Sequence, residues 1–261
     1  MQNKTVNKNW TKEQTIVAFN LYCKIPFNRV TSSHPDIINI AKTIGRSPNS
    51  VKMKIGNFGS FDPELKKRGI VGLANTSKLD KEVWDEFNSD WEKLAYESEV
   101  LIAKFKKLKI EEYIAEYDFE KYSEGKEKES IVKTRINQSF FRQTVLSAYN
   151  NTCCITGINN QSLLIASHII PWSENKKLRL NPHNGLCLNA LHDKAFDKHL
   201  ITVTPDYRLL ISKQIKGAKS IKVMQDIFIK YDNMKINLPE RFVPEKSFLE
   251  QHYQRFLESD K

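Results

Sequence analysis

The apolar positions change period twice between Leu163 and Phe196. Leu163 to Ala166 lead through Ser167 and His168 to Ile169 and Ile170, a short run that Pro171 stops, the pattern of a strand ending in a loop. Asn184-Gly185 is a turn dipeptide, Leu186 to Leu188 suits a second short strand, and Ala190 to Phe196 fits a helix with His192 in its first turns. The predicted order is strand, loop, strand, helix, with His168, Asn184 and His192 at the joints. The chain has 6 histidines in 261 residues, so this grouping exceeds what composition supplies.

Before this unit the period is helical. Thr11 and Gln14 form a capping box ahead of a helix whose Ile16, Phe19 and Cys23 share a face, and Pro26 closes it. Ile37, Ile40, Ala41 and Ile44 fall on one stripe ended by Gly45. Ser47 can cap, and Pro48 can start, another helix with Val51, Ile55 and Phe58 inside. Ala41, Gly45 and Val51 lie where a helix-turn-helix wants a small residue, a turn glycine and a buried β-branched residue. The outer positions Asn49, Ser50, Lys52 and Lys54 would then meet DNA, the competing reading being a packed hairpin with a solvated basic face. Asp80 is expected to cap a helix carrying Trp84, Phe87, Trp91 and Leu94 as one buried stripe. The pattern can run on through Leu101 and Phe105 into one long connecting helix. The polar stretch from Tyr122 to Glu129 breaks it, which divides the chain into a helical domain over 1–120, a linker over 121–136 and a second domain over 137–261. In the second domain, Phe140, Phe141, Val145 and Leu146 predict a helix leading into the central unit. Leu200 to Val203 and Arg208 to Ile211 predict a hairpin, and Leu249, Tyr253 and Phe256 predict a final helix. The fold class expected is α+β.

Charge narrows the partners. A net charge of +10 and a pI near 9.3 favour a polyanion, nucleic acid or an anionic surface. Lys213, Lys216 and Lys219 could follow a phosphate backbone, though a solvated face explains any single lysine there. No apolar run approaches the roughly 18 residues of a membrane span and no signal-peptide core precedes Trp10, so a cytoplasmic protein without a membrane partner is expected. Cys153 and Cys154 are adjacent, Cys187 is alone and Cys23 is far upstream; this is not zinc-knuckle spacing, and buried free thiols fit better.

The stretch from Cys153 to Ser212 resembles the HNH, or ββα-metal, nuclease family, in the branch whose core reads A-H-I-x-P-W, N-G-L-x-L and L-H-D-x-A-F-D. Here those are Ser167 to Trp172, Asn184 to Leu188 and Leu191 to Asp197. The resemblance implies a C-terminal ββα-metal domain with flanking helices that hydrolyses phosphodiester bonds in duplex DNA. It implies a divalent cation such as Mg²⁺ or Mn²⁺, 5′-phosphate and 3′-hydroxyl ends, and a bacterial restriction or defence setting; a homodimer is compatible with it. The chemistry agrees: a neutral imidazole with a pKa near ~6.5 can take a proton from water, and the family gives that role to the residue matching His168. Asn184 carries over as the residue that fixes the loop and orients the base. His192 is the first candidate metal ligand. Where many members have Asp or His before the base, this chain has Ser167, a weak ligand. The shell would therefore be completed by a carboxylate, or by water and phosphate oxygens. Asp193 and Asp197, one helical turn apart, are the nearest. A structural hydrogen bond for Asp197 and a solvated surface position for Asp193 stand beside ligation. Two other functions remain open: a non-catalytic DNA-binding regulator with a degenerate nuclease fold, and an RNA-directed nuclease.

Overall fold

The structure, a computed structural model, describes residues 9–70, 76–115, 126–218 and 220–261. The chain divides into two compact units, one of Met1–Tyr22 and Asn28–Asn137, the other of Cys23–Phe27 and Gln138–Lys261.

The first unit is helical. Helix α1, Lys12–Lys24, opens with the capping box: Gln14 N donates to Thr11 Oγ1 and Thr11 N to Gln14 Oε1, each at 3.2 Å. Ile16, Phe19 and Cys23 are buried as expected, and burial extends to every residue from Thr15 to Tyr22. Phe19 meets the rings of Phe58 at 4.8 Å and Trp84 at 5.3 Å. Helices α2, Pro35–Thr43, and α3, Pro48–Gly59, bury Ile37, Ala41, Val51, Ile55 and Phe58 as their period predicts. Gly45 turns the chain between them at φ +68°, where a side chain would be strained. Ser47 caps α3 by accepting from Ser50 N at 3.2 Å.

One residue of the expected DNA-facing set points the other way. Lys54 is only 5% exposed, its ammonium paired at 2.5 Å with Asp80, whose second carboxylate oxygen accepts from Asn57 Nδ2 at 2.8 Å. Helical spacing brings Lys54 beside Val51 and Ile55, on the stripe that packs inward. Asn49 and Lys52 are exposed, and Ser50 is half-buried. After α4, Pro63–Lys67, comes α5, Lys78–Phe87. Its cap is Ser77, and Asp80 is the return partner that accepts from Ser77 N at 3.2 Å, so the expected cap moves three places back. Burial pushes the Asp80 carboxyl up, but the hydrogen bonds from Lys54 and Asn57 outweigh it and hold the group below its usual range. The stripe of Trp84, Phe87, Trp91 and Leu94 is buried but spans two helices, because Asp90 caps a new one, α6, Trp91–Lys106. Lys107 at φ +61° ends α6, and α7, Ile110–Ala115, is separate; no single connecting helix forms.

Of the expected linker, 121–125 lies outside the described residues and 126–136 is helix, the start of α8, Lys126–Ala148. In the second unit, Phe140, Phe141, Val145 and Leu146 of α8 are buried. Strand β1, Leu164–His168, runs antiparallel to β2, Gly185–Asn189, with His168 opposite Gly185 and Ser167 opposite Leu186. Helix α9, Ala190–Asp197, follows β2 directly, with Asn189 as its cap. A separate hairpin of β3, Ile201–Val203, and β4, Leu209–Ile211, precedes α10, Lys213–Gly217, α11, Lys222–Ile227, and α12, Lys246–Ser259. Lys213 donates to the Asp260 carbonyl at 2.9 Å and Lys216 pairs with Asp232 at 2.7 Å; Lys219 lies outside the described residues. All four cysteines are free and buried. Among the described residues no helix is long and apolar enough to cross a membrane.

Candidate active site

The site forms where β1 ends and α9 lies against the β1–β2 pair. Asn184 has no exposed surface and closes the loop between the strands: its Oδ1 accepts from Ile170 N at 2.8 Å, and its Nδ2 donates to the carbonyls of Ile170 at 3.0 Å and Leu178 at 3.3 Å. That anchors the chain beside Arg179, whose carbonyl lies 2.9 Å from His168 Nε2. A carbonyl only accepts, so Nε2 carries the proton and the neutral ring keeps its lone pair on Nδ1. Burial lowers the His168 pKa; the bond to Arg179 and the charge of Asp197 oppose this only in part.

Aromatic rings surround the imidazole. Phe141 of α8 stacks on it at 3.8 Å with the planes 8° apart, and Trp172 meets it edge-on at 5.6 Å. Arg179 in turn holds Trp172: its Nε donates to the Trp172 carbonyl at 2.8 Å, and its guanidinium lies 5.1 Å from the indole centre. Gly185 matters here for its missing side chain rather than for a turn. Its φ is −125°, ordinary strand geometry, but a Cβ would lie 2.4 Å from Val145 Cγ2 and 3.2 Å from Phe141 Cζ. The turn expected at Asn184-Gly185 is made one step earlier, by Pro182–Asn184.

His168 opens on a cleft of about 530 Å³ whose walls also carry Ser167, Trp172, Asp193, Lys194, Asp197 and Lys198. The two carboxylates of α9 therefore share a face with the histidine. Burial raises the Asp193 pKa, and the charge of Asp197 raises it further against the pull of the Ser167 hydroxyl and Lys194. Ser167 Oγ itself is buried and reaches no partner at hydrogen-bond geometry. Two mutually repelling oxygen donors facing one cleft suit a hard divalent cation that keeps much of its water. Among the described residues no cluster of three or more His, Cys, Asp or Glu side chains could hold a metal.

His192 does not join them. It has no exposed surface, its Nδ1 accepts from Asn189 Nδ2 at 2.7 Å, and its ring packs 5.0 Å from Phe228 and 6.2 Å from Tyr231. Its Nε2 approaches the Ile227 backbone without reaching hydrogen-bond geometry. Burial takes its pKa down to about 4. On a helix, adjacent residues point about 100° apart, so the face that brings Asp193 and Asp197 to the cleft turns His192 into the core. Reading the sequence picked out His168, Asn184, Asp193 and Asp197 but gave no role to Phe141, Lys194 or Lys198. A lysine follows each aspartate in the same helical register, which was a visible signal; Phe141 looked like any core residue.

A comparison with curated proteins returned no match to this chain. Residues 153–204, which hold β1, β2, helix α9 and every residue named on the cleft wall, match the family model described as HNH endonuclease, so it is this segment that is similar to the HNH endonuclease family.

Proposed function

We propose that the protein is a divalent-metal-dependent endonuclease that hydrolyses phosphodiester bonds of duplex DNA, with His168 as general base. The observation that carries this reading is the His168 Nε2 bond to the Arg179 carbonyl, which leaves Nδ1 with the lone pair in a ring on the wall of the carboxylate cleft. His168 takes the proton of the attacking water at Nδ1, while Asn184 keeps the loop, and so the Arg179 carbonyl, in place. Lys194 and Lys198 offer ammonium groups to the non-bridging phosphate oxygens. Asp193 and Asp197 are the residues that would hold the cation, in place of the buried His192. When bound, such a cation supplies charge neutralisation at the phosphate and at the leaving 3′ oxygen, giving 5′-phosphate and 3′-hydroxyl ends.

Hydrolysis of this kind is blind to sequence, and we assign target choice to the helical first unit, acting as a helix-turn-helix through Asn49, Ser50 and Lys52 at the start of α3. Lys54 leaves that set because it is committed to Asp80. A nuclease joined to such a unit suits a restriction or defence enzyme. The rival reading, a DNA-binding regulator without activity, draws on Ser167 before the base. Incubating plasmid with the full chain and Mg²⁺ or Mn²⁺, with and without EDTA and with RNA in parallel, separates them. Metal-dependent nicking that His168→Ala abolishes supports the enzyme, and DNA binding without nicking supports the regulator. Cleavage of RNA alone would replace the substrate. Loss of the base should cost about 10²–10⁴ in rate with binding retained.

A further inference from the structure

We propose that Phe141 is a positioning residue for the general base: its ring, admitted by the missing side chain at Gly185, holds the imidazole of His168 in one plane so that Nδ1 faces the cleft in one orientation. This rests on the reading of His168 as the base.

The terminal torsion of a histidine side chain is soft. The covalent bond at Cγ and the hydrogen bond from Nε2 to the Arg179 carbonyl hold two points of the ring, yet its plane can still rock about the line between them. A flat partner parallel to the imidazole removes that freedom, and Phe141 is one, at 3.8 Å and 8°. The edge contact with Trp172 at 5.6 Å limits sideways travel but does not define the plane. Phe141 is 3% exposed, so it acts through His168 and not on substrate. Its place depends on the strand pairing: His168 lies opposite Gly185, and any Cβ at Gly185 would come within 3.2 Å of Phe141 Cζ. Phe141 also stands outside the segment that matches the nuclease family, so the base is held by a helix that precedes that segment.

The test uses the full chain and three variants, Phe141→Leu, Val145→Ala and His168→Ala. Leucine keeps apolar volume and loses the flat face. Val145 lies one helical turn on, also borders Gly185, and has no stacking role, so it controls for loss of stability. Phe141→Leu is expected to lower kcat about 10- to 100-fold, as small misplacement of a reacting group does, with KM and DNA affinity in EDTA unchanged. Val145→Ala should keep kcat near wild type even where its Tm falls as far. In histidine-labelled protein the hydrogen-bonded Nε2 proton of His168 should be sharp in wild type and Val145→Ala and broadened in Phe141→Leu. Wild-type kcat in Phe141→Leu, equal losses in Phe141→Leu and Val145→Ala, or an unchanged Nε2 proton overturns the role of Phe141 alone. Wild-type cleavage by His168→Ala, or no cleavage by the wild type, overturns the reading of the site on which it rests.

Discussion

In the proposed role of base, His168 needs two properties that pull apart in water: it must be neutral to accept a proton and fixed to accept it from one direction. Burial supplies the first by lowering its pKa, and the Arg179 carbonyl supplies part of the second by fixing the tautomer. The sign of the shift sets a pH profile. A base works above its own pKa, so with the His168 value below the ordinary 6.5 the acid limb of kcat should lie below pH 6.5. Rates at saturating metal from acid to neutral pH check this, and a limb at or above the ordinary value would contradict it. Lys54 makes the opposite point about a charged residue. Removing its ammonium leaves the Asp80 carboxylate buried with Asn57 and Ser77 as its remaining donors. Lys54→Met should therefore cost about 3 kcal/mol, the low end for breaking a buried pair, whereas exposed Lys52→Ala should stay within about 0.5 kcal/mol. Urea midpoints of the two variants decide it; equal midpoints would mean that Lys54 is not a buried partner.

Helices α9 and α12 each bury a histidine, and the two set how the second unit meets acid. His192 is held to about 4 and His252 to about 3, first by burial in both cases. His252 is also tied down, its Nδ1 2.8 Å from Thr202 Oγ1 on β3 and its Nε2 3.1 Å from the Phe196 carbonyl of α9. Above about 6.5 neither the folded nor the unfolded chain protonates these rings and nothing is lost. As pH falls below that value the unfolded chain takes up protons the folded one refuses, costing about 1.4 kcal/mol per pH unit for each ring. The loss levels off at about 4 for His192 and about 3 for His252. Near pH 5 unfolding should thus take up about two protons, measurable as the slope of unfolding free energy against pH. A slope below one proton would mean that neither ring is sealed from water.

The division of the whole chain does not follow its linear order. Cys23–Phe27 belongs to the second unit, where the Cys23 carbonyl accepts from Ser147 Oγ at 2.6 Å and the Ile25 carbonyl accepts from the buried Arg241 at 2.8 Å. A fragment starting at Gln138 keeps His168, Asp193 and Asp197 but loses those acceptors, and it begins inside α8. It should be less stable than the second unit in the full chain, since Arg241 Nη2 loses the Ile25 carbonyl while Ser147 Oγ keeps only the Thr144 carbonyl, 3.0 Å away, and a buried donor deprived of its acceptor costs about 1–3 kcal/mol. Co-expressing a peptide covering 12–27 should restore part of the loss. Thermal melts and limited proteolysis of the fragment test this; full stability without the peptide would mean that residues 23–27 are dispensable.

Much of this molecule is written locally. Thr11 with Gln14 and Ser47 with Pro48 announce helix starts because capping acts within one turn, and the strand, loop, strand and helix around His168 show in the period of the apolar residues. That Asp193 and Asp197 share one helical face followed from their spacing, whereas the role of Asn184 came with the family resemblance. Long-range packing decided the rest. Whether His192 or its neighbour faces the cleft depends on Phe228 and Tyr231, far along the chain, filling the other side of α9. Lys54 became a core residue because Asp80, on another helix, came within reach of it. Gly185 reads as a turn glycine until α8 lies against it, and only then does Phe141 come to rest on the histidine. Periodicity shows that a helix has an inner face, but the atoms that cover that face decide which borderline residues lie on it.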